Sequence, residues 1–200
     1  MRALIMAGGE GSRLNLGEKP LILIGGEPML ARVVRAFQMA GCEPVVAVTR
    51  RTPMTANWCR AQGIPVCRAD GKGFVDDMVQ AVRILEEEEP LIISVSDIPC
   101  ITPETVKQVT GSYQTCRQDA LSTWVPAALV RSCRGGMPYR ETINGIAACP
   151  AGINILRGDI IDEPQDEHTL LLEDPGLALN VNTRADRDRA EAFLQGTTPG

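Results

Sequence analysis

The sequence predicts an α/β fold, a single-domain three-layer sandwich about a mostly parallel, mixed sheet. Three observations carry this expectation. Short apolar runs of strand length alternate with longer segments of near-helical apolar spacing along most of the chain. The first of these runs, residues 3–7, is continuously apolar, as in strands covered on both faces. The glycine-rich loops follow apolar runs directly, as in sheets that bind ligands at the carboxyl ends of their strands.

Taken in order, residues 3–7 read as a buried strand that ends at Gly8 and Gly9. From residue 28 to 40, Met29, Leu30, Val33, Val34, Phe37 and Met39 recur at near-helical spacing, and Gly41 closes the helix. Residues 45–48 form a second strand, 53–62 a polar helix ended by Gly63, and 64–67 a short third strand. Asp70-Gly71-Lys72-Gly73 is a second glycine-rich loop, after which Val75, Met78, Val79, Val82 and Leu85 mark an amphipathic helix. The methionines read as core residues of helix faces. Residues 91–95 are another buried strand, which runs out at Asp97. Thr102-Pro103-Glu104 is a helix N-cap signature. Residues 121–130 are strand-like, 131–145 are glycine-rich without periodicity, and 146–155 contain apolar runs around Pro150 and Gly152. Residues 177–181 read as a last strand and 186–194 as a closing helix. Residues 1–195 are expected to form one domain, with 196–200 a disordered tail.

Composition narrows the function. With 200 residues, 44% hydrophobic and 22% charged, the chain matches a soluble globular protein with one core. Its net charge of -5 disfavours a nucleic-acid binder. No stretch reaches the roughly 18 apolar residues of a membrane span, so a cytoplasmic location is expected. Seven cysteines without a C-x-x-C pair fit reduced, buried thiols better than disulfides or zinc. The single histidine, His168, lies in what reads as a turn, solvated or capping a helix. The acidic run 86–89 reads as a solvated helix end, and Trp58 and Trp124 as partial core.

The first glycine-rich loop points to phosphate. Consecutive glycines let backbone N–H groups turn toward an anion, and Arg13 and Lys19 add cationic donors. A dinucleotide fingerprint fails because Leu14 stands where its third glycine is needed, and Gly17-Glu18-Lys19-Pro20 breaks a Walker A loop. The chain has only three lysines, Lys19, Lys72 and Lys107, and two of them lie in or beside glycine-rich loops. A compact ammonium suits phosphate as a point charge. Asp97, at a strand's carboxyl end, suits magnesium, which takes one or two carboxylates plus phosphates and water. The alternative for Asp97 is a helix cap before Thr102, and for Asn182 an N-cap of the last helix.

Met6-Ala-Gly-Gly-x-Gly-Ser-Arg13 with Lys19-Pro20 resembles the signature shared by sugar-phosphate and molybdopterin nucleotidyltransferases. The segments 70–78, 150–155 and 179–183, with the start 3–9, are similar to the archaeal adenosylcobinamide-phosphate guanylyltransferase family. The resemblance implies a Rossmann-like fold of the nucleotide-diphospho-sugar transferase type. It implies transfer of GMP from GTP to adenosylcobinamide phosphate, with pyrophosphate released. It further implies a nucleotide site of Leu4, Ala7, Gly8, Gly9, Gly11, Ser12, Arg13, Lys19, Gly71, Lys72, Gly73 and Asp97, with Arg13, Lys19 and Asp97 catalytic. Gly152, Asn154 and Asn182 would face ribose or acceptor, and Asp97 with Asn182 would hold Mg2+. The partners so implied are GTP and a phosphorylated corrinoid, and a homodimer stays open. Rival readings are a molybdenum-cofactor guanylyltransferase, a sugar-1-phosphate nucleotidyltransferase, or a noncatalytic GTP-binding module.

Overall fold

The computed structural model describes residues 1–9, 17–130 and 139–197. Its elements are β1 (Arg2–Met6), a 3-10 turn (Lys19–Leu21), β2 (Leu23–Ile24), β3 (Glu27–Pro28), α1 (Met29–Met39), β4 (Glu43–Val48), α2 (Pro53–Ala61) and β5 (Val66–Arg68). There follow α3 (Phe74–Ile84), β6 (Pro90–Val95), α4 (Pro103–Thr115), β7 (Ala120–Pro126), β8 (Glu141–Ile143), β9 (Ile146–Arg157), β10 (Glu167–Leu171) and α5 (Arg184–Leu194).

One eight-stranded sheet runs β10-β7-β9-β6-β1-β4-β5, with β8 paired to β9. Parallel pairs join β1 to β4 and β6, β4 to β5, and β10 to β7, while β9 is antiparallel to its three neighbours. The sheet is thus mixed and mostly parallel.

The continuous apolar strands feed cores on both faces. Along β1, Ala3 and Ile5 pack with Leu30, Val33, Val34 and Phe37 of α1 on one face, and Leu4 packs with Met78, Ala81 and Val82 of α3 on the other. Successive side chains of a strand point to opposite faces, so one run supplies both layers. Phe37 and Leu30 are wholly buried. Each such side chain stabilises the fold by roughly 1.5–3 kcal/mol. A third cluster, with Ile24, Met29, Val181 and Ala190, holds α5 against the β2–β3 hairpin.

The structure corrects several sequence expectations. Residues 177–181 form no strand. The Asp174 carboxylate accepts from Gly176 N and Leu177 N at 2.8 and 3.1 Å and starts a turn there. Leu177 and Val181 are buried because this loop lies over the core, a burial that one apolar run cannot distinguish from pairing. The last strand is instead β10, which carries His168 opposite Leu121, so the histidine neither sits in a turn nor caps a helix. Strand β7 stops at Pro126, short of the expected 130. Met29 and Met78 are core residues, but Met39 and Met54 are 64% and 60% exposed. Trp124 is buried and Trp58 packs at the core's margin. The described thiols Cys42, Cys59, Cys67, Cys100, Cys116 and Cys149 are unpaired, and Cys133 lies outside the described residues. Burial pushes the Cys59 and Cys100 thiols up to about 11 and about 12. Among the described residues no helix is long and apolar enough to cross a membrane.

Candidate active site

Four loops meet at the carboxyl edge of the sheet: those after β1, β4, β5 and β6. They enclose a cleft of about 290 Å³, lined among others by Gly8, Gly9, Lys19, Gly71, Gly73 and Asp97.

Lys19 opens the 3-10 turn, with Pro20 next to it favouring the turn's start. Its ammonium makes an ion pair with the Asp97 carboxylate and donates to Asn182 Oδ1 at 2.7 Å. Asn180 Nδ2 donates to Asp97 Oδ1 at 2.8 Å, and Asn182 Nδ2 donates to Asn180 Oδ1. The backbone locks this arrangement, because Val181 N donates to Asp97 O at 2.9 Å. Lys19 and Asp97 side chains are 15% and 16% exposed, so the pair is shielded yet reachable.

The alternative capping roles fall to neighbours. Thr102 accepts from Thr105 N to cap α4, leaving Asp97 free for the cleft. Thr183 caps α5 in a reciprocal box with Asp186, leaving Asn182 free for Lys19.

The position of Lys19 depends on its neighbour Glu18. That carboxylate accepts from Met54 N and Thr55 N at 2.7 Å each and from Thr55 Oγ1 at 2.6 Å. It satisfies two of the open N–H groups at the start of α2, whose own Thr52 makes no side-chain cap. The turn bearing Lys19 is thereby tied to the sheet's far flank.

Thr49, at the end of β4, joins the two glycine-rich loops. Its Oγ1 donates to Gly8 O at 3.0 Å, and its methyl would stand 2.5 Å from any β-carbon at Gly8. Only glycine fits there without displacing Thr49. Across the cleft, Gly71 and Gly73 adopt φ of 81 and 146. Asp77 Oδ1 accepts from Gly71 N and Lys72 N at 2.8 and 3.0 Å and fixes that loop.

Among the described residues no group of three His, Cys, Asp or Glu could by itself hold a metal. Asp97 and Asn182 offer oxygen atoms that both face the Lys19 ammonium, whereas Asn180 turns its amide nitrogen to Asp97. That donor set is hard and incomplete, which suits a magnesium ion completed by phosphate oxygens and water.

A family model described as "MobA-like NTP transferase domain" matches residues 3–141. The chain belongs to this family. An adenosylcobinamide-phosphate guanylyltransferase of Methanocaldococcus jannaschii is 25% identical over 98% of both chains. Among solved structures, a hypothetical transferase from Thermus thermophilus superposes with a TM-score of 0.71 at 17% identity, over 94% of this chain and 100% of its own. A CMP:2-keto-3-deoxy-manno-octonic acid synthetase complexed with CTP gives 0.69 at 16% identity, over 98% and 99%. The chain is a nucleotidyltransferase of the MobA-like type.

In this MobA-like protein the expected site residues fall unevenly, and Gly152, Asn154 and Asn182 lie beyond the matched residues 3–141. Gly8, Gly9, Lys19, Gly71, Gly73 and Asp97 line one cleft, and Asn182 reaches it through Lys19. Ala7 is buried, with its N–H on Ala47 O at 2.8 Å, just before the glycines. Leu4 is wholly buried in the core beneath. Lys72 turns outward to Asp70, 3.0 Å away, and does not line this cleft. Its ammonium holds the Asp70 carboxyl below its ordinary range. Gly152 on β9 lies against Val95, which lines the cleft. Asn154 Oδ1 accepts from Thr123 N at 3.3 Å, beside the irregular register of β7 and β9. Gly11, Ser12 and Arg13 lie outside the described residues.

Sequence reasoning passed over Glu18, Thr49, Asp77 and Asn180. Asn180 had a local signal, since it lies two residues before Asn182 and alternate residues of an extended segment share a side. Glu18 and Thr49 act across long sequence separations and carry none, whereas Asp77 bonds the backbone only five and six residues before it and reads as one more polar position of an amphipathic helix.

Proposed function

We propose that this enzyme transfers GMP from GTP to adenosylcobinamide phosphate, giving adenosylcobinamide-GDP and pyrophosphate. The observation that carries the reading is the Lys19–Asp97 pair braced by Asn180 and Asn182 at the sheet's ligand edge. The end-to-end likeness to the M. jannaschii guanylyltransferase supports the choice of acceptor.

The chemistry fits the residues. An acceptor phosphate oxygen attacks the α-phosphorus, the bond to the bridging oxygen of the β-phosphate breaks, and pyrophosphate leaves with that oxygen. The nucleophile is already anionic at neutral pH, so no general base is needed. Catalysis then rests on position and charge. The lone histidine is three strands from β6, roughly 14 Å at ordinary strand spacing, and takes no part.

Backbone N–H groups at Gly8 and Gly9 are assigned to the phosphates, a role the resemblance gives also to Gly11 and Ser12, which lie outside the described residues. Lys19, with Arg13, offsets the charge that develops on the leaving pyrophosphate. Asp97 with Asn182 would hold Mg2+, which supplies further neutralisation of phosphate charge. Gly152 and Asn154 are assigned to the ribose or acceptor side.

The test is pyrophosphate release from GTP with magnesium, with and without adenosylcobinamide phosphate, with ATP, CTP and UTP in parallel. Release that requires the corrinoid and favours GTP is expected. Lys19→Ala should lower kcat by about 100- to 1,000-fold, the size of losing one charge-stabilising donor. Full turnover in that variant would remove Lys19 from the mechanism.

A further inference from the structure

Asp77 is an acid with half its bonding used. It lies in the first turn of α3, is 7% exposed and lines the cleft. Its Oδ1 accepts from Gly71 N and Lys72 N, while no described group of the protein donates to Oδ2. Oδ2 is not among the fully buried polar atoms, so on a residue that lines the cleft it is an acceptor open to a ligand.

Its surroundings fit a planar ring. Ala47 and Ala69 line the same cleft, and their small side chains leave room beside Asp77. Phe74 lines it too and is 50% exposed, an aromatic face open for stacking. The loop after β5 is separated from Asp97 by three strand spacings, roughly 14 Å. Phosphates at Lys19 would therefore leave the base at the Asp77 end.

We infer that Asp77 Oδ2 reads the nucleobase and selects guanine. The inference rests on the nucleotidyltransferase reading above and names the residue that sets its base specificity. An ionised carboxylate only accepts hydrogen bonds. Guanine alone among the common bases offers two adjacent donors on its pairing edge, the N1 imino and the 2-amino group. Adenine and cytosine place a ring nitrogen acceptor beside their amino group, and uracil flanks its imino group with carbonyls. Each of these sets a lone pair against the carboxylate. Because Oδ1 is engaged with the backbone of Gly71 and Lys72, the same side chain both holds that loop and reads the base.

The test is calorimetric binding of GTP, ATP and XTP, with magnesium, to the full-length wild type and Asp77→Asn. Xanthine carries a carbonyl where guanine has its 2-amino group. The asparagine keeps an acceptor for Gly71 N and Lys72 N and presents an amide donor in place of Oδ2. Wild type should bind GTP at least about tenfold tighter than XTP or ATP, since a lost polar partner in a buried site is poorly tolerated. Asp77→Asn should lower the GTP:XTP affinity ratio by at least about tenfold. An unchanged ratio, including an equal loss for every nucleotide, would reduce Asp77 to a loop anchor and overturn the inference. Equal binding of GTP and XTP by wild type overturns it without any variant. No acceptor is present in this assay, so failure of corrinoid guanylylation remains a separate result.

Discussion

Gly152 shows how one residue can be fixed by packing and backbone together. Its φ is 77, in the left-handed region, and a β-carbon would stand 2.6 Å from Val95 Cγ2. Gly152→Ala should therefore destabilise the protein by about 2–4 kcal/mol, combining backbone strain with overpacking. Val95→Ala in the same chain removes only the steric part and should restore about half. Urea denaturation of the wild type and the single and double variants measures both effects, and a neutral Gly152→Ala would refute the packing at this edge of the cleft. Gly8 is confined by a different cause, the Thr49 methyl, with no positive φ involved. Both glycines are visible in the sequence. Their constraints are not, because Val95 and Thr49 are far from them along the chain.

At the level of elements, helix ends decide where the site residues stand. Thr102-Pro103-Glu104 was legible as a cap because the motif is local, and α4 begins there. The start of α2 was legible from Pro53, but its cap was not, because Glu18 supplies it from 36 residues away. Glu18→Ala should cost about 1–2 kcal/mol of stability, the usual worth of a cap at a helix N-terminus. It should also lower kcat/KM by about tenfold or more, because the turn bearing Lys19 loses its tether. Glu18→Gln, which still accepts, should recover much of both. Thermal melts beside steady-state kinetics test this, and Glu18→Ala with unchanged kinetics would make Glu18 a cap alone. The end of the chain was harder to read. β10 carries half-buried residues, including His168, at a sheet edge, and the loop at 177–181 is as apolar as a strand. Sequence pattern ranked them in the wrong order because burial, which the pattern tracks, is not pairing.

For the whole molecule, stability should follow the sheet order. β1, β4 and β6 are paired to strands on both sides and enclosed by cores on both faces, whereas β5 and β10 are edges. Native-state hydrogen exchange should be slowest in β1, β4 and β6 and faster in β5 and β10 by at least about tenfold. Uniform protection across the sheet would contradict this layering. The same layering aligns the loops after β1, β4, β5 and β6 on one edge, so the slowest-exchanging strands support the cleft.

The sequence by itself determined the α/β class, the alternation of most elements and several of the residues that line the cleft. These are local signals: the length and period of an apolar run, a cap signature, and glycines following a strand. It also carried the family, in the motif around Gly8 and Lys19. Tertiary structure alone decided that Lys19 meets Asp97 and Asn182, that Glu18 anchors the turn bearing Lys19 to α2, that β9 runs against its neighbours, and that Asp77 lines the same cleft as Lys19 and Asp97. Each joins residues remote along the chain. Hydrogen bonds and ion pairs are short-ranged, so such contacts are set by the folding of the sheet and leave no pattern in the order of residues.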